Sequence, residues 1–495
     1  MLRLKVVAKS VLFSWKVVAK SVSLQRKVVA KSVVKYKKVV AKSVTCIENQ
    51  LIMYKRKIEQ VLQNWKNNPG HKPLILKGCR QCGKTSSVLD FAKKNYKNVI
   101  YLDFFQNEEY QLFFESSLDI DTITLNMSIG IKNAKFIPGK TCIIFDEIQS
   151  CPKARSSLKY FKIDGRYDVI CTGSLLGVNG YKAQEEKTSS ASIPVGYEEI
   201  EIMRPMDFEE WLWANGIEEN HIEYLKECLS NETPINAAIH SRMKELLKLY
   251  IIVGGMPDAV ATYMRSNNIA DVQRVQQSII ASYKDDMLKY ALQEDKGRIR
   301  ECFESIPAQL AKENKKFQYS IIRKKSRAKD YLGSLQWIED AGIINRCYNL
   351  NTPELPFIGQ IRTDCFKVYM ADIGLLTSML EEGTAWSIMN GELYTYKGAI
   401  YENLAADIFT KMGRKLYYYQ KDNGLELDFV IRHNGKCVPV ECKARNGNAK
   451  SLKTVLNHPE KYHIYEAIKL GDYNIGREKG VLTLPFYLSF LLTGR

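Results

Sequence analysis

An apolar run at residues 73–77 (PLILK) leads without a break into Gly78-Cys79-Arg80-Gln81-Cys82-Gly83-Lys84-Thr85, which fits the pattern GxxxxGK[ST]. A helical pattern follows over residues 85–95. No other stretch constrains the fold as tightly. The run predicts a buried strand, and strand, loop and helix in that order aim a nest of backbone N–H groups at one point. Such a nest binds phosphate. Gly78 and Gly83 permit the tight backbone, and the positions between them (Cys79, Arg80, Gln81 and Cys82) line the nest. Lys84 then brings a point charge to the β- and γ-phosphates of ATP, and the Thr85 hydroxyl ligates Mg²⁺.

The motif needs an acidic partner. Residues 141–145 (TCIIF) predict a second buried strand that ends in Asp146-Glu147, about 60 residues beyond the loop. At that place Asp146 holds Mg²⁺ through water, and Glu147 polarises the attacking water. A third strand, residues 168–171, delivers Thr172-Gly173-Ser174. Thr172 either contacts the γ-phosphate or the water, or belongs to a simple Gly-Ser turn. Cys79 and Cys82 form a CxxC pair inside the loop. They are either a redox pair or incidental fillers of variable positions.

The runs LILKGCRQCGKT, FDEIQ, TGS, IPVGY (residues 193–197) and RPMDFEEWL together resemble prokaryotic AAA-type ATPases that carry a C-terminal domain of unknown function. The resemblance extends from Met53 to the C-terminus. It implies a P-loop ATPase core, a helical lid and a winged-helix-like segment. Many relatives have a Gly-Arg shortly after TGS, and this chain does not. Arg204 is the nearest candidate for an arginine finger, with a surface salt bridge as the alternative. A homo-oligomer is also implied, because such modules often use a neighbour's arginine.

Helical spacing of apolar residues recurs over residues 208–217, 222–229, 235–253 and 271–292, broken sharply at Gly254-Gly255-Met256-Pro257. The segment FQYSIIRKKSRAKDYLGSLQWIEDAGIINRCY follows. Ile321, Ile322, Leu332, Leu335, Ile338, Ile343 and Ile344 fit two helices and a strand, with Arg323, Lys324, Lys325, Arg327 and Lys329 between or on them. This resembles a winged helix with a basic helix near a DNA groove. A helical adaptor with a solvated basic face is the alternative.

Near the C-terminus, Glu402 lies on an amphipathic helix that begins at Gly398, and residues 416–420 (LYYYQ) predict an aromatic strand. Residues 426–431 predict another strand, in which acids alternate with apolar residues. After a His433-Asn434-Gly435 turn, residues 437–442 predict a third strand. Glu441 and Lys443, two apart, fall on one face. Asp428, on the neighbouring hairpin strand, reaches the same point. Acids and a lysine meeting there are costly unless a cation or an anionic substrate is present. The set is similar to the PD-(D/E)xK nuclease constellation. That likeness implies Mg²⁺ or Mn²⁺ on Asp428 and Glu441, water activation by Lys443, and help from Glu402.

Charge has to be divided before it is used. The 495-residue chain carries +17, and residues 1–52 hold 12 of its 72 basic side chains and one of its 55 acids, Glu48. That leaves +6 for the rest, too little to argue for nucleic acid by itself. KVVAKSV starts at Lys5, Lys16, Lys27 and Lys38, with unrelated four-residue spacers. Strict identity inside the unit and none outside it suggest a translated repetitive DNA element, with Met53 as the expected start. A basic targeting peptide is the alternative. The 12 scattered cysteines fit reduced thiols in a cytoplasm. No apolar run reaches the ~18–20 residues that span a bilayer.

The expected architecture is multidomain α/β. Its parts are the basic repeat (1–52), a P-loop ATPase core with a parallel sheet (53–204), a helical lid (205–300), a winged-helix-like segment (301–365) and a C-terminal domain like that of restriction endonucleases (366–495). The expected function is ATP hydrolysis coupled to a nuclease-like module on nucleic acid. The alternative is a nucleotide-gated regulator that binds DNA or protein without cutting.

Overall fold

Leu74, Ile75 and Leu76 are apolar in succession because they form a strand covered on both faces. In the computed structural model, which describes residues 54–175, 196–291, 295–392, 396–421, 424–443 and 449–493, this strand is β1 (Leu74–Gly78). The basic repeat lies outside the described residues, as do residues 193–195 of the IPVGY segment.

Four more strands join β1 in an all-parallel sheet of order β2-β3-β4-β1-β5: β2 (Asn98–Asp103), β3 (Thr141–Asp146), β4 (Asp168–Ser174) and β5 (Glu199–Met203). Helices α1 (Lys57–Asn67) and α2 (Lys84–Asn95) cover one face, with Leu62, Trp65, Val88 and Phe91 packed on Leu74 and Leu76. Helices α3 (Ile120–Gly130) and α4 (Pro152–Asp164) cover the other, with Ile123, Met127, Leu158 and Phe161 around Ile75 and Phe145. β4 lies between β1 and β3, so the end of the TGS strand stands between the phosphate loop and the Asp146 strand.

A helical layer follows: α5 (Phe208–Ala214), α6 (Glu219–Ser230), α7 (Ala237–Val253), α8 (Pro257–Ser266) and α9 (Ile269–Tyr290). α8 was not expected. Its apolar residues are too few to stand out, although Pro257 opens it at a favoured position. Next come α10 (Lys296–Leu310), α11 (Tyr319–Ile322) and α12 (Ala328–Asp340), then the antiparallel pair β6 (Ile344–Leu350) and β7 (Ile361–Met370). Leu332, expected on an apolar face, is exposed. β7 crosses the boundary drawn at 365/366, and residues Lys55–Arg495 form one compact unit.

The last part runs α13 (Ile373–Ser378), α14 (Thr384–Asn390), α15 (Lys397–Lys411), β8 (Leu416–Gln420), β9 (Glu426–Leu427), β10 (Phe429–His433), β11 (Lys436–Cys442), α16 (Lys450–Leu456), α17 (Pro459–Tyr462), β12 (Ala467–Gly471), β13 (Gly476–Glu478) and β14 (Val481–Pro485). It makes two sheets, of order β7-β6-β8-β9 and β10-β11-β12-β14-β13. The strand expected over 426–431 is split at Asp428, which sits at the joint between the sheets. Asn434 and Gly435 both have positive φ, as a two-residue hairpin turn requires.

A buried polar knot ties these parts together. Gly255 N–H donates to Asp372 at 2.7 Å, and Met206 N–H donates to the Gly255 carbonyl at 2.7 Å. Lys411 sits between Asp372 (3.0 Å) and Asp407 (2.8 Å), and the Tyr250 hydroxyl reaches both Asp407 and the Met206 carbonyl. A β-carbon on Gly255 would overlap that carbonyl, so the Gly-Gly break is a close backbone crossing as well as a turn. Two carboxylates share one ammonium here. Burial, with Asp372 alongside, pushes Asp407 up to about 7 against the pull of Lys411.

Two predictions follow from the knot. Gly255→Ala lowers stability by about 1–3 kcal/mol through overpacking, read as a lower urea midpoint at unchanged slope. Asp407 keeps in the folded state a proton that the unfolded chain has released. Its contribution is therefore full below the ordinary Asp value of 3.8 and is lost as pH rises through about 7. Asp407→Asn has no such proton to lose. The stability of wild type relative to this variant falls between pH 5 and pH 8; a constant difference would contradict the shared-proton arrangement.

Candidate functional site

The phosphate loop is held from several sides. Gly78 pairs with Ser174 on β4 and with Met203 on β5, and a β-carbon there would collide with the Met203 carbonyl. Gly83 has φ 94°, a left-handed value that a residue with a β-carbon adopts only under strain. Lys84 is buried, and its ammonium donates to the carbonyls of Gly78 (3.1 Å) and Cys79 (2.9 Å). The cation is thereby poised over its own loop.

Asp146 is the acidic focus. Its carboxylate accepts from the Thr85 hydroxyl (3.0 Å), from the Tyr101 hydroxyl (2.7 Å) and from the Thr172 hydroxyl. Thr172, expected either at the γ-phosphate or its water or in a simple Gly-Ser turn, stands against Asp146 and is fully buried. Tyr101 on β2 was missed, and no motif marks it. The hydroxyl and carboxylate oxygens of Thr85 and Asp146 meet at the mouth of the loop, and oxygen donors are what Mg²⁺ takes. The pair fits that ion.

Glu147 follows in a left-handed conformation, φ 52°, which is uncommon for a residue with a side chain and is often kept at functional positions. Burial raises its carboxyl above the ordinary value, with Lys84 opposing, and Gln149 donates to it.

Cys79 and Cys82 are both buried. The hydrogen bond between the two thiols draws Cys82 down to about 6, helped by Lys84 and Arg56 and opposed by burial. The same bond and burial push Cys79 up.

Arg56 was also missed. It donates to the Cys82 carbonyl (3.2 Å) and to the Arg204 carbonyl (2.8 Å), and pairs with Glu210 at 3.1 Å. Glu210 is fixed by a capping box with Asp207 at the start of α5, which explains the DFEE run. From the other side, α9 reaches the loop. Asp286 pairs with Arg80, and the Tyr283 hydroxyl donates to the Arg80 carbonyl at 3.3 Å. Arg204 is half-buried, and burial lowers its guanidinium.

The C-terminal group differs from expectation in one member. Glu441 is buried and pairs with Lys443 at 2.5 Å, and its second oxygen has no hydrogen-bond partner among the described residues. Asp428 accepts from the Cys442 N–H at 2.8 Å. Burial, then Glu441 and Glu402, push Asp428 up to about 8. Glu402 does not stand free beside them. One of its oxygens accepts from Lys367 (3.0 Å) and Tyr369 (2.5 Å), and the other from Lys315. Against burial, those two cations hold its carboxyl at about 2.

Among the described residues, no three His, Cys, Asp or Glu side chains form a metal-holding group. Of the three carboxylates expected at a metal, Glu402 is engaged as the counterion of Lys315 and Lys367. The alternation over residues 426–431 carries no mark of Lys315 and Lys367, which come from other elements.

The expected basic cluster lies on the turn between α11 and α12 and on the first turn of α12. Arg323, Lys324, Lys325, Arg327 and Lys329 are all exposed, and Arg323 pairs with Glu301 at 2.9 Å.

Comparison with known proteins accords with the loop. Residues 70–212 match a family model described as an AAA domain. Residues 244–385 and 397–487 match two domains of unknown function, DUF8612 and DUF4143. Among solved structures, a Walker-type ATPase of Pyrococcus abyssi is 15% identical with TM-score 0.40, over 67% of this chain and 97% of that one. C. elegans PCH-2 is 12% identical with TM-score 0.20, over 39% of this chain and 52% of that one. No curated relative matches the chain. The chain carries an AAA-type P-loop ATPase domain, and no described helix is long and apolar enough to cross a membrane.

Arg56→Ala leaves Glu210 buried without its cation and removes the brace on the Cys82 carbonyl. Breaking such a pair costs about 3–5 kcal/mol. Thermal unfolding should show the loss, and ATP affinity should fall with it. An unchanged melting temperature would contradict the brace.

Proposed function

We propose that this chain binds Mg²⁺-ATP at the loop of Gly78–Thr85 and hydrolyses it, and that the nucleotide cycle is coupled through the helical layer to the C-terminal module. The observation that carries the reading is the convergence of Lys84, Thr85 and Asp146 at the carboxyl ends of a parallel sheet, the place where open α/β sheets bind ligands.

The chain's own residues divide the work. The backbone N–H groups from Cys79 to Thr85 cradle the phosphates, and Lys84 turns from its own carbonyls to the β- and γ-oxygens. Thr85 and Asp146 would hold Mg²⁺, which when bound neutralises charge between the β- and γ-phosphates. Glu147 orients the attacking water and accepts its proton; its raised carboxyl pKa brings it closer to a general base's working range. Thr172 and Tyr101 fix the Asp146 carboxylate. Arg80, bound by Asp286 and Tyr283, reports loop movement to α9.

The C-terminal module belongs to the same proposal in a more limited form. The Asp428–Glu441 pair stands where the sheet containing β8 and β9 meets the sheet containing β10, β11 and β12. Glu441 keeps an unpartnered buried oxygen beside Asp428 and Lys443, a polar atom that suits a divalent cation. The exposed basic turn before α12 supports contact with nucleic acid. The second reading is a nucleotide-gated binder that does not cut.

Lys84→Ala abolishes ATP turnover. Glu147→Gln retains ATP binding and lowers turnover by about 10²–10⁴. Retained turnover in both variants would remove the loop from the mechanism. Glu441→Ala separates the two C-terminal readings. Loss of Mg²⁺- or Mn²⁺-dependent nicking of DNA or RNA marks a nuclease, whereas a wild type that never nicks marks a binder.

A further inference from the structure

A cavity of about 180 Å³ lies away from the ATP loop and beside the C-terminal pair, where the helical layer meets the C-terminal sheet. Three parallel strands end on it: Lys443 follows β11, Gly471 ends β12 and Pro485 ends β14. Crevices at the carboxyl ends of parallel strands are favoured ligand positions in open α/β sheets. The first turn of the 15-residue helix α15 also faces the cavity through Lys397 and Ile400. From the opposite wall α7 contributes Lys244 and Lys248, one turn apart.

Four lysines thus line the cavity, against one lining acid, Asp472. Asp472 is paired with Lys244, and Lys443 is paired with Glu441 at 2.5 Å. The other two lysines meet no carboxylate among the described residues. Lys248 donates to the Met389 carbonyl at 3.1 Å, and Lys397 lies over the Tyr401 ring at 5.8 Å. Two cations without a carboxylate partner call for a compact ligand of about two negative charges, which is what a phosphomonoester carries at neutral pH. At ~30 Å³ per water the cavity holds about six waters, room for a phosphoryl group and a short organic fragment. Leu247, Ile388 and Phe486 make an apolar wall for that fragment.

We propose that this cavity binds a phosphomonoester, with Lys248 and Lys397 holding the phosphoryl group and the apolar wall receiving the attached organic part. The site lies beyond the ATP loop and requires neither ATP turnover nor strand cleavage; it shares only Lys443 with the Asp428–Glu441 pair. The phosphomonoester is either a free mononucleotide or the 5′-phosphate end of a polynucleotide.

The test uses the full chain carrying Lys84→Ala, which weakens phosphate binding at the loop. The probes are adenosine 5′-monophosphate, by calorimetry, and a 3′-labelled single-stranded DNA of about twelve nucleotides with or without a 5′-phosphate, by fluorescence anisotropy. Binding of the monophosphate, or at least about tenfold tighter binding of the phosphorylated DNA, is expected. The double change Lys248→Gln/Lys397→Gln lowers that binding at least about tenfold. If the double variant does not fold, judged by its urea midpoint, each single change is read and should weaken binding severalfold. Arg242→Gln, an exposed cation on the same helix outside the cavity, leaves binding unchanged. Binding of the monophosphate alone assigns the free-nucleotide source, and binding of the phosphorylated DNA alone assigns the polynucleotide source. Absence of phosphate-dependent binding overturns the proposal. So does equal binding by the lysine variants, or an equal loss in Arg242→Gln.

Discussion

The carboxylate of Asp146 is the point on which the nucleotide domain depends. Hydroxyls from the phosphate-loop helix (Thr85), from β2 (Tyr101) and from β4 (Thr172) all donate to it. That convergence needs the strand order β2-β3-β4-β1-β5, because β4 must lie between the loop strand and the Asp146 strand. These three donors hold the carboxylate in place as an oxygen donor beside Thr85. Packing serves the same end, since the apolar cores on both faces of the sheet fix the strands whose tips carry these groups.

The second constraint is the link between parts. Arg56, Asp286 and Tyr283 grip the loop from outside and tie it to α1, α5 and α9. The strand beside the loop, β5, continues through Met206 into the Gly255–Asp372–Lys411 knot. Backbones cross there without room for a side chain, so movement is transmitted by rigid displacement more readily than by local yielding. Lys315 and Lys367 make a comparable bond at Glu402, joining the segment before β6 and the strand β7 to α15.

The sequence carries some of this and not the rest, for physical reasons. The loop, the Asp146 strand and the hairpin at Asn434–Gly435 are local features whose residue types are set by backbone geometry, so each is legible from a few neighbours. Contacts between distant elements leave no periodic mark. Arg56, Tyr101, Tyr283 and Lys367 are single polar residues in ordinary contexts, and only the fold shows what they touch. Glu402 illustrates the difference: its helix position was plain, but its partners come from α10–α11 and β7, which turns an expected metal ligand into a counterion. The division of charge has a similar lesson. The overall +17 says little, whereas two lysines on helices lining one cavity, with no carboxylate partner among the described residues, say something specific.

The most direct test of the account is the affinity of the full chain for a non-hydrolysable ATP analogue, measured by calorimetry with and without Mg²⁺ in wild type and in Asp146→Asn. The account predicts that Mg²⁺ tightens binding in wild type and has little effect in the variant, because Asp146 and Thr85 supply the ion's protein oxygens. Absence of analogue binding, or an equal Mg²⁺ effect in both proteins, would contradict it.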